Sequence, residues 1–175
     1  NVGSYGVTVS GATANETTDT SGNYIVEDTV NGTLTITDKD PITKNLTGFE
    51  GNVASYEIVI NPDGLTFNGN NNLTLKDTFD NQSINYGSIS TSPSVDYDYS
   101  GNTGTFTIPD ATKVTITYQT RVNGKVGDEA TFSNTAQLGR MLNRAFEKWS
   151  EATVSEKRTI TPTGTDTEGD SGVYT

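Results

Sequence analysis

Apolar and polar residues alternate with a period of two along most of this chain, the mark of strands that bury one face. The clearest case is residues 114–122. Val114, Ile116, Tyr118, Thr120 and Val122 share one face there, and Thr115, Thr117, Gln119 and Arg121 share the other. Ala54, Tyr56, Ile58 and Ile60 do the same over 53–61. The pattern predicts further strands at 41–49, 72–79, 83–90, 94–99, 104–109 and 129–138, the regular spacing of an all-β sandwich. Asn61-Pro-Asp-Gly64, the Asn-Gly run at 68–72 and Asn123-Gly124 supply turns between them. The period changes once. Leu142, Ala145, Phe146 and Trp149 fall at helical spacing with Arg144, Glu147 and Lys148 opposite, which predicts a short helix over 140–149 capping the sandwich. A last strand is expected over 152–161, then a polar Gly/Thr/Asp-rich linker.

Residues 1–38 hold three short strand candidates, at 2–10, 23–27 and 32–37, with turn signals at Gly22-Asn23 and Asn31-Gly32. This is too little chain to bury a sandwich core by itself. The charged stretch 38–40 followed by Pro41 reads as a boundary. The expected organisation is therefore a short β segment over 1–38, a β-sandwich over 39–162 and a linker over 163–175. The sequence starts inside a strand candidate and stops just after a linker, so it is expected to be a segment of a longer, repetitive protein.

Three strands break their own pattern. Over 129–138 the inward face is Ala130, Phe132, Asn134, Ala136 and Leu138; over 72–80 it is Leu73, Leu75, Asp77 and Phe79; over 41–46 it is Ile42, Lys44 and Leu46. An amide, a carboxyl and an amine thus point into a core, where each costs free energy unless engaged. If the three meet, desolvation disfavours both charges and favours a neutral amine beside a protonated acid. The amine is then a nucleophile, and the acid can hydrogen-bond the amide carbonyl and polarise it. Attack of Lys44 on the Asn134 side chain with loss of ammonia leaves a Lys–Asn isopeptide bond, made once per molecule, without turnover or cofactor. The same three residues also suit a plain buried Lys–Asp ion pair with the asparagine hydrogen-bonded to it, which contributes little net stability. Lys39 and Lys76 are rival lysines, and Lys76 alternates outward.

Composition narrows the alternatives. Among 175 residues there is no cysteine and no histidine. That removes disulfides, thiolate chemistry, Ser-His-Asp and Cys-His catalysis and the commonest zinc ligand. A formal charge of −11 disfavours nucleic acid and anionic membrane surfaces as partners. Hydrophobic content of only 31% points to thin sheets with much solvated surface. No signal peptide and no membrane-spanning run is seen.

Taken in order, Lys44 on the first sandwich strand, Asp77 in Leu73-Thr-Leu-Lys-Asp-Thr-Phe79 and Asn134 in Ser133-Asn-Thr-Ala136 resemble the isopeptide-forming domains of Gram-positive surface adhesins and pilins, of the collagen-adhesin A-region type. Tyr56-Glu-Ile-Val-Ile-Asn-Pro-Asp-Gly64 and Val114-Thr-Ile-Thr-Tyr118 are similar to that family as well, and the likeness covers roughly 39–162. The segment 140–149 departs from it. Residues 1–38, with Gly3-Ser-Tyr-Gly-Val-Thr-Val-Ser-Gly-Ala12 and Val30-Asn-Gly-Thr-Leu-Thr-Ile-Thr37, resemble the C-terminal half of MBG-type repeat modules of bacterial surface proteins. The resemblance implies an Ig-like β-sandwich with Greek-key connections, Lys44 and Asn134 as the cross-linked pair, and Asp77 as the acid. It implies a structural stalk module, not an enzyme, on the outer surface or wall of a bacterium. Its partners would be neighbouring domains, or a host or matrix protein or glycan, and it would be monomeric.

Two weaker patterns stand beside this. Asp96-Tyr-Asp98-Tyr-Ser100-Gly101 starts like a calcium loop, but its twelfth position is Thr107, not the bidentate glutamate such a loop needs. Tyr86, Tyr97 and Tyr99 are a possible stacking platform for sugars, which would make the chain a carbohydrate- or protein-binding module without a cross-link.

Overall fold

Over most of residues 41–138 strands form where the alternation predicts them, and two antiparallel sheets close over their shared apolar faces. The structure, a computed structural model, describes residues 40–163 throughout and, before them, the strands β1 (Val7–Thr8), β2 (Tyr24–Val30) and β3 (Thr33–Asp38). Those three pair antiparallel in the order β1-β3-β2. The rest of residues 1–39 and the expected linker from 164 onward lie outside the described residues.

The main body is built from β4 (Ile42–Glu50), β5 (Val53–Ile60), β6 (Leu73–Asp80), β7 (Gln82–Ser92), β8 (Tyr97–Ser100), β9 (Thr103–Ile108), β10 (Val114–Val122), β11 (Glu129–Leu142) and β12 (Ala145–Thr159). One sheet runs β4-β5-β10-β7 and the other β12-β11-β6-β9-β8. The chain crosses between sheets at β5–β6, β6–β7, β7–β8, β9–β10 and β10–β11, so strands adjacent in one sheet are often distant in sequence. Ile58, Ile60, Val114 and Ile116 from the first sheet meet Leu75, Phe106, Phe132 and Leu138 from the second, all fully or almost fully buried. Phe49 stacks on Phe132 with centroids 5.5 Å apart. Among the described residues there is no helix, so none that is long and apolar enough to cross a membrane.

The expected helix over 140–149 is instead the far end of a long hairpin. β11 continues to Leu142, turns on Asn143 and Arg144, and returns as β12. Both turn residues have positive φ, 51° and 66°, as the two-residue turn matched to strand twist requires. Met141 pairs with Phe146 and Arg140 with Glu147, and a bulge at Leu138/Gly139 shifts Trp149 out of simple alternation. That one-residue slip spaces Phe146 and Trp149 as a helix would. Gly139 is required at the bulge, since a Cβ there would run into the Glu147 carbonyl. Arg140 lies over the Trp149 ring, 5.6 Å from its centroid, and pairs with Glu147 at 2.7 Å.

Candidate functional site

Lys44, Asp77 and Asn134 come from three strands in two sheets and converge in the interior. Lys44 lies on β4 opposite Ile58 of β5. Asp77 of β6 pairs with Ala136 of β11, one inward position along from Asn134. The side chains of Lys44 and Asp77 have no solvent exposure, and Asn134 is 0% exposed. Lys44 Nζ donates to Asp77 Oδ1 at 2.5 Å and to the Tyr118 hydroxyl at 2.8 Å. It lies over two neighbouring aromatic rings, 5.3 Å from the centroids of both Tyr56 and Tyr118.

Tyr118, on the inward face that the alternation of its strand predicts, is the hub. Its hydroxyl donates to Asp77 Oδ2 at 2.5 Å and accepts from both Lys44 Nζ and Asn134 Nδ2, the latter at 2.7 Å. One donated and two accepted bonds use the full capacity of a hydroxyl. Amine and amide are therefore joined through one oxygen, each hydrogen-bonded to it. Asp77 reaches the amide only through that oxygen. Asn134 Oδ1 is buried and accepts a hydrogen bond from no described residue. The available signal was a tyrosine in the middle of an inward strand face, since a buried phenol normally needs a polar partner.

Burial sets the protonation preferences. Desolvation lowers the Lys44 pKa from its ordinary value, opposed by the charge of Asp77 and the hydrogen bond to it. The Tyr118 hydroxyl is pushed well up, first by desolvation and then by the negative charge of Asp77. Both effects favour a neutral amine and a protonated phenol. Tyr99 closes this end of the site. Its ring lies over Gly104, the residue paired with Asp77, where a Cβ would come within 2.6 Å of the ring. Its hydroxyl is buried and unpartnered among the described residues, and desolvation raises its pKa.

A second buried polar cluster adjoins the first. Gln82 Oε1 accepts from the Tyr56 hydroxyl at 2.8 Å and from Thr120 at 2.6 Å, and its amide nitrogen donates to the Ser133 carbonyl at 2.8 Å. This bridges β5, β7 and β10 to β11 beside Asn134, a pairing that no local pattern in the sequence signals.

The remaining candidates lie elsewhere. Lys76 is on the opposite face of β6, 4.7 Å from the Phe146 centroid. Lys39 falls outside the described residues. Asp98 and Ser100 belong to strand β8, with Asp96 just before it, and all three are exposed. Among the described residues no three acidic or other metal-ligating side chains cluster. Tyr86 is 60% and Tyr97 44% exposed, and each meets Tyr99 edge-on.

No family model matches the chain, and no curated protein sequence matches it. Solved structures do. A collagen-binding domain from a Staphylococcus aureus adhesin matches with a TM-score of 0.52 at 14% identity, over 70% of this chain and 100% of that one. ACE, an Enterococcus faecalis MSCRAMM that binds its ligands by the collagen hug model, matches with a TM-score of 0.52 at 15% identity. The match covers 79% of this chain and 60% of that one. A backbone pilin of Streptococcus pyogenes with a modular three-domain structure gives 0.50 at 14% identity, over 71% of this chain and 36% of the pilin. At such identities the likeness is one of fold: an Ig-like β-sandwich of the architecture found in Gram-positive adhesin domains and pilins.

Proposed function

We propose that this chain is a structural module of a bacterial surface adhesin or pilus-like protein, held by an intramolecular isopeptide bond between Lys44 and Asn134. The observation that carries the reading is a wholly buried amine and a wholly buried side-chain amide, 90 positions apart (44 to 134), hydrogen-bonded to one hydroxyl beside a buried carboxyl. A sandwich stabilised by packing alone has little use for this arrangement. Removing a lysine and an aspartate from water costs several kcal/mol per ion, and the Asn134 carbonyl has no partner among the described residues. The arrangement has a use as a reactant state. Lys44 passes a proton to Asp77, the neutral amine attacks Asn134 Cγ, the C–Nδ2 bond breaks and ammonia leaves. The fold supplies proximity, and the dry interior strengthens each polar contact. No turnover follows, because the product is part of the protein.

Such a bond would tie β4 to β11 and restrict the unfolded chain by about 4–5 kcal/mol, treated as a loop closure of that length. A core with no disulfide available gains resistance to force and proteolysis in this way. The fold likeness to adhesin domains and pilins supports an extracellular surface location. It also supports neighbouring domains of the same protein, or a matrix protein, as partners. Intact mass spectrometry tests the proposal. The purified protein should be lighter than its sequence by one ammonia, and Lys44→Ala, Asp77→Ala and Asn134→Ala should each restore the full mass. A wild-type protein at full sequence mass refutes the cross-link.

A further inference from the structure

We propose that Tyr118 is a catalytic residue of the cross-linking reaction, its hydroxyl relaying a proton from Asp77 to the departing amide nitrogen. This rests on the Lys44–Asn134 reading above. Direct contact between the acid and the amide is the simplest way to expel ammonia, and the geometry does not provide it. Asp77 spends one oxygen on Lys44 and the other on Tyr118, while Asn134 Nδ2 bonds Tyr118. Among the described residues the hydroxyl is thus the only group touching the nucleophilic nitrogen, the leaving nitrogen and the acid together.

The protons balance along this path. Lys44 begins as an ammonium and Asp77 as a carboxylate. One proton moves from Nζ to Asp77, leaving a neutral amine and an acid. The Nζ lone pair then forms the bond to Asn134 Cγ, and the carbonyl π electrons move onto Oδ1. The Asp77 carboxyl turns so that this proton faces the phenol, and it passes to the Tyr118 oxygen as Tyr118 gives its own to Nδ2, so the phenol is regenerated. Nζ, now carrying an excess proton, returns it to Asp77. The carbonyl re-forms, the Cγ–Nδ2 bond breaks and neutral ammonia departs. The products are an amide, ammonia and a protonated Asp77, with the same atoms and total charge as the start. Tyr118 never has to exist as a free phenolate, in keeping with the elevation of its pKa by burial and by Asp77.

The neighbours hold the phenol on this path. The Tyr118 ring packs against Tyr56 at 5.5 Å, and the Tyr56 hydroxyl is committed to Gln82. The Tyr56 proton is therefore engaged by Gln82 rather than by the amide.

The test is a time course of ammonia loss by intact mass after cell-free synthesis of wild type, Tyr118→Phe and Lys44→Ala. Wild type that stays at full mass refutes the cross-link itself, whatever Tyr118 does. With wild type cross-linked, Tyr118→Phe should fold like Lys44→Ala by circular dichroism yet convert about a hundredfold more slowly, the usual loss for a missing general acid–base group. Conversion of Tyr118→Phe at the wild-type rate overturns the relay. Should Tyr118→Phe fail to fold, wild type made with 3-fluorotyrosine at all eight tyrosines keeps every hydroxyl but makes the phenol more acidic. A several-fold change in the conversion rate supports the relay, and an unchanged rate overturns it.

Discussion

Replacing Asn134 with leucine sets a local gain against a global loss, and the two have opposite signs. Leucine matches asparagine in side-chain shape, so no cavity opens. Locally the variant gives up the bond from Nδ2 to Tyr118 at 2.7 Å, a net loss of about 1 kcal/mol. It also removes the buried carbonyl that accepts from no described residue, whose burial costs about 1–3 kcal/mol. Tyr118 still donates to Asp77 and accepts from Lys44, so no new polar group is stranded. In a chain without a cross-link, Asn134→Leu is therefore neutral or stabilising by up to about 2 kcal/mol. In a cross-linked chain the variant forfeits the closed loop, about 4–5 kcal/mol. For a body of this size that lowers the melting temperature by on the order of 15 °C. Differential scanning calorimetry of wild type and Asn134→Leu, with intact mass on the same samples, decides between them. A variant that melts at or above wild type refutes the reasoning.

Three further outcomes follow from the geometry. Asp110 accepts from the backbone nitrogens of Phe67, Asn68 and Asn70 at 2.9, 2.7 and 3.0 Å, so Asp110→Ala should cost about 3 kcal/mol in urea unfolding. It should also expose the 65–72 loop to protease. Gly139→Val places a Cβ against the Glu147 backbone at the bulge; about 1–3 kcal/mol of stability should be lost, seen as a lower urea midpoint. Burial raises the hydroxyl pKa of Tyr56, Tyr99 and Tyr118 above the ordinary value of 10.0. Above that pH the unfolded phenols ionise while the folded ones stay protonated, so the unfolded state binds fewer protons. Stability, fully present below pH 10, should then fall by up to about 4 kcal/mol per pH unit as the pH rises further, measurable as a falling melting temperature.

The body of the fold was legible because its strands are half-buried, and a half-buried strand writes its inward face into the sequence at every second residue. Val114 to Val122 and Ala54 to Ile60 show this, and the same rule placed Lys44, Asp77 and Asn134 inward. The misreading at 140–149 has a definite cause. An Asn-Gly pair would have announced the hairpin, but Arg144 occupies the glycine position, and the bulge at Gly139 offsets the returning strand by one residue. Tyr118 and Gln82 escaped notice for a different reason. Alternation reports which way a side chain points, not which strand of the opposite sheet it meets. That pairing depends on the crossings between sheets, which local pattern does not encode. The closeness of Tyr99 to Gly104 was hidden in the same way.

β12 follows Asn134 in the chain and, among the described strands, pairs only with β11. With Lys44 joined to Asn134, a module tugged by its two ends would transmit load through the covalent link, leaving the strands between them slack. The hairpin arm beyond the link would carry what remains, opening rung by rung like a zip. It would release slack chain as it yielded and close again at rest: a reusable shock absorber attached to an inextensible core.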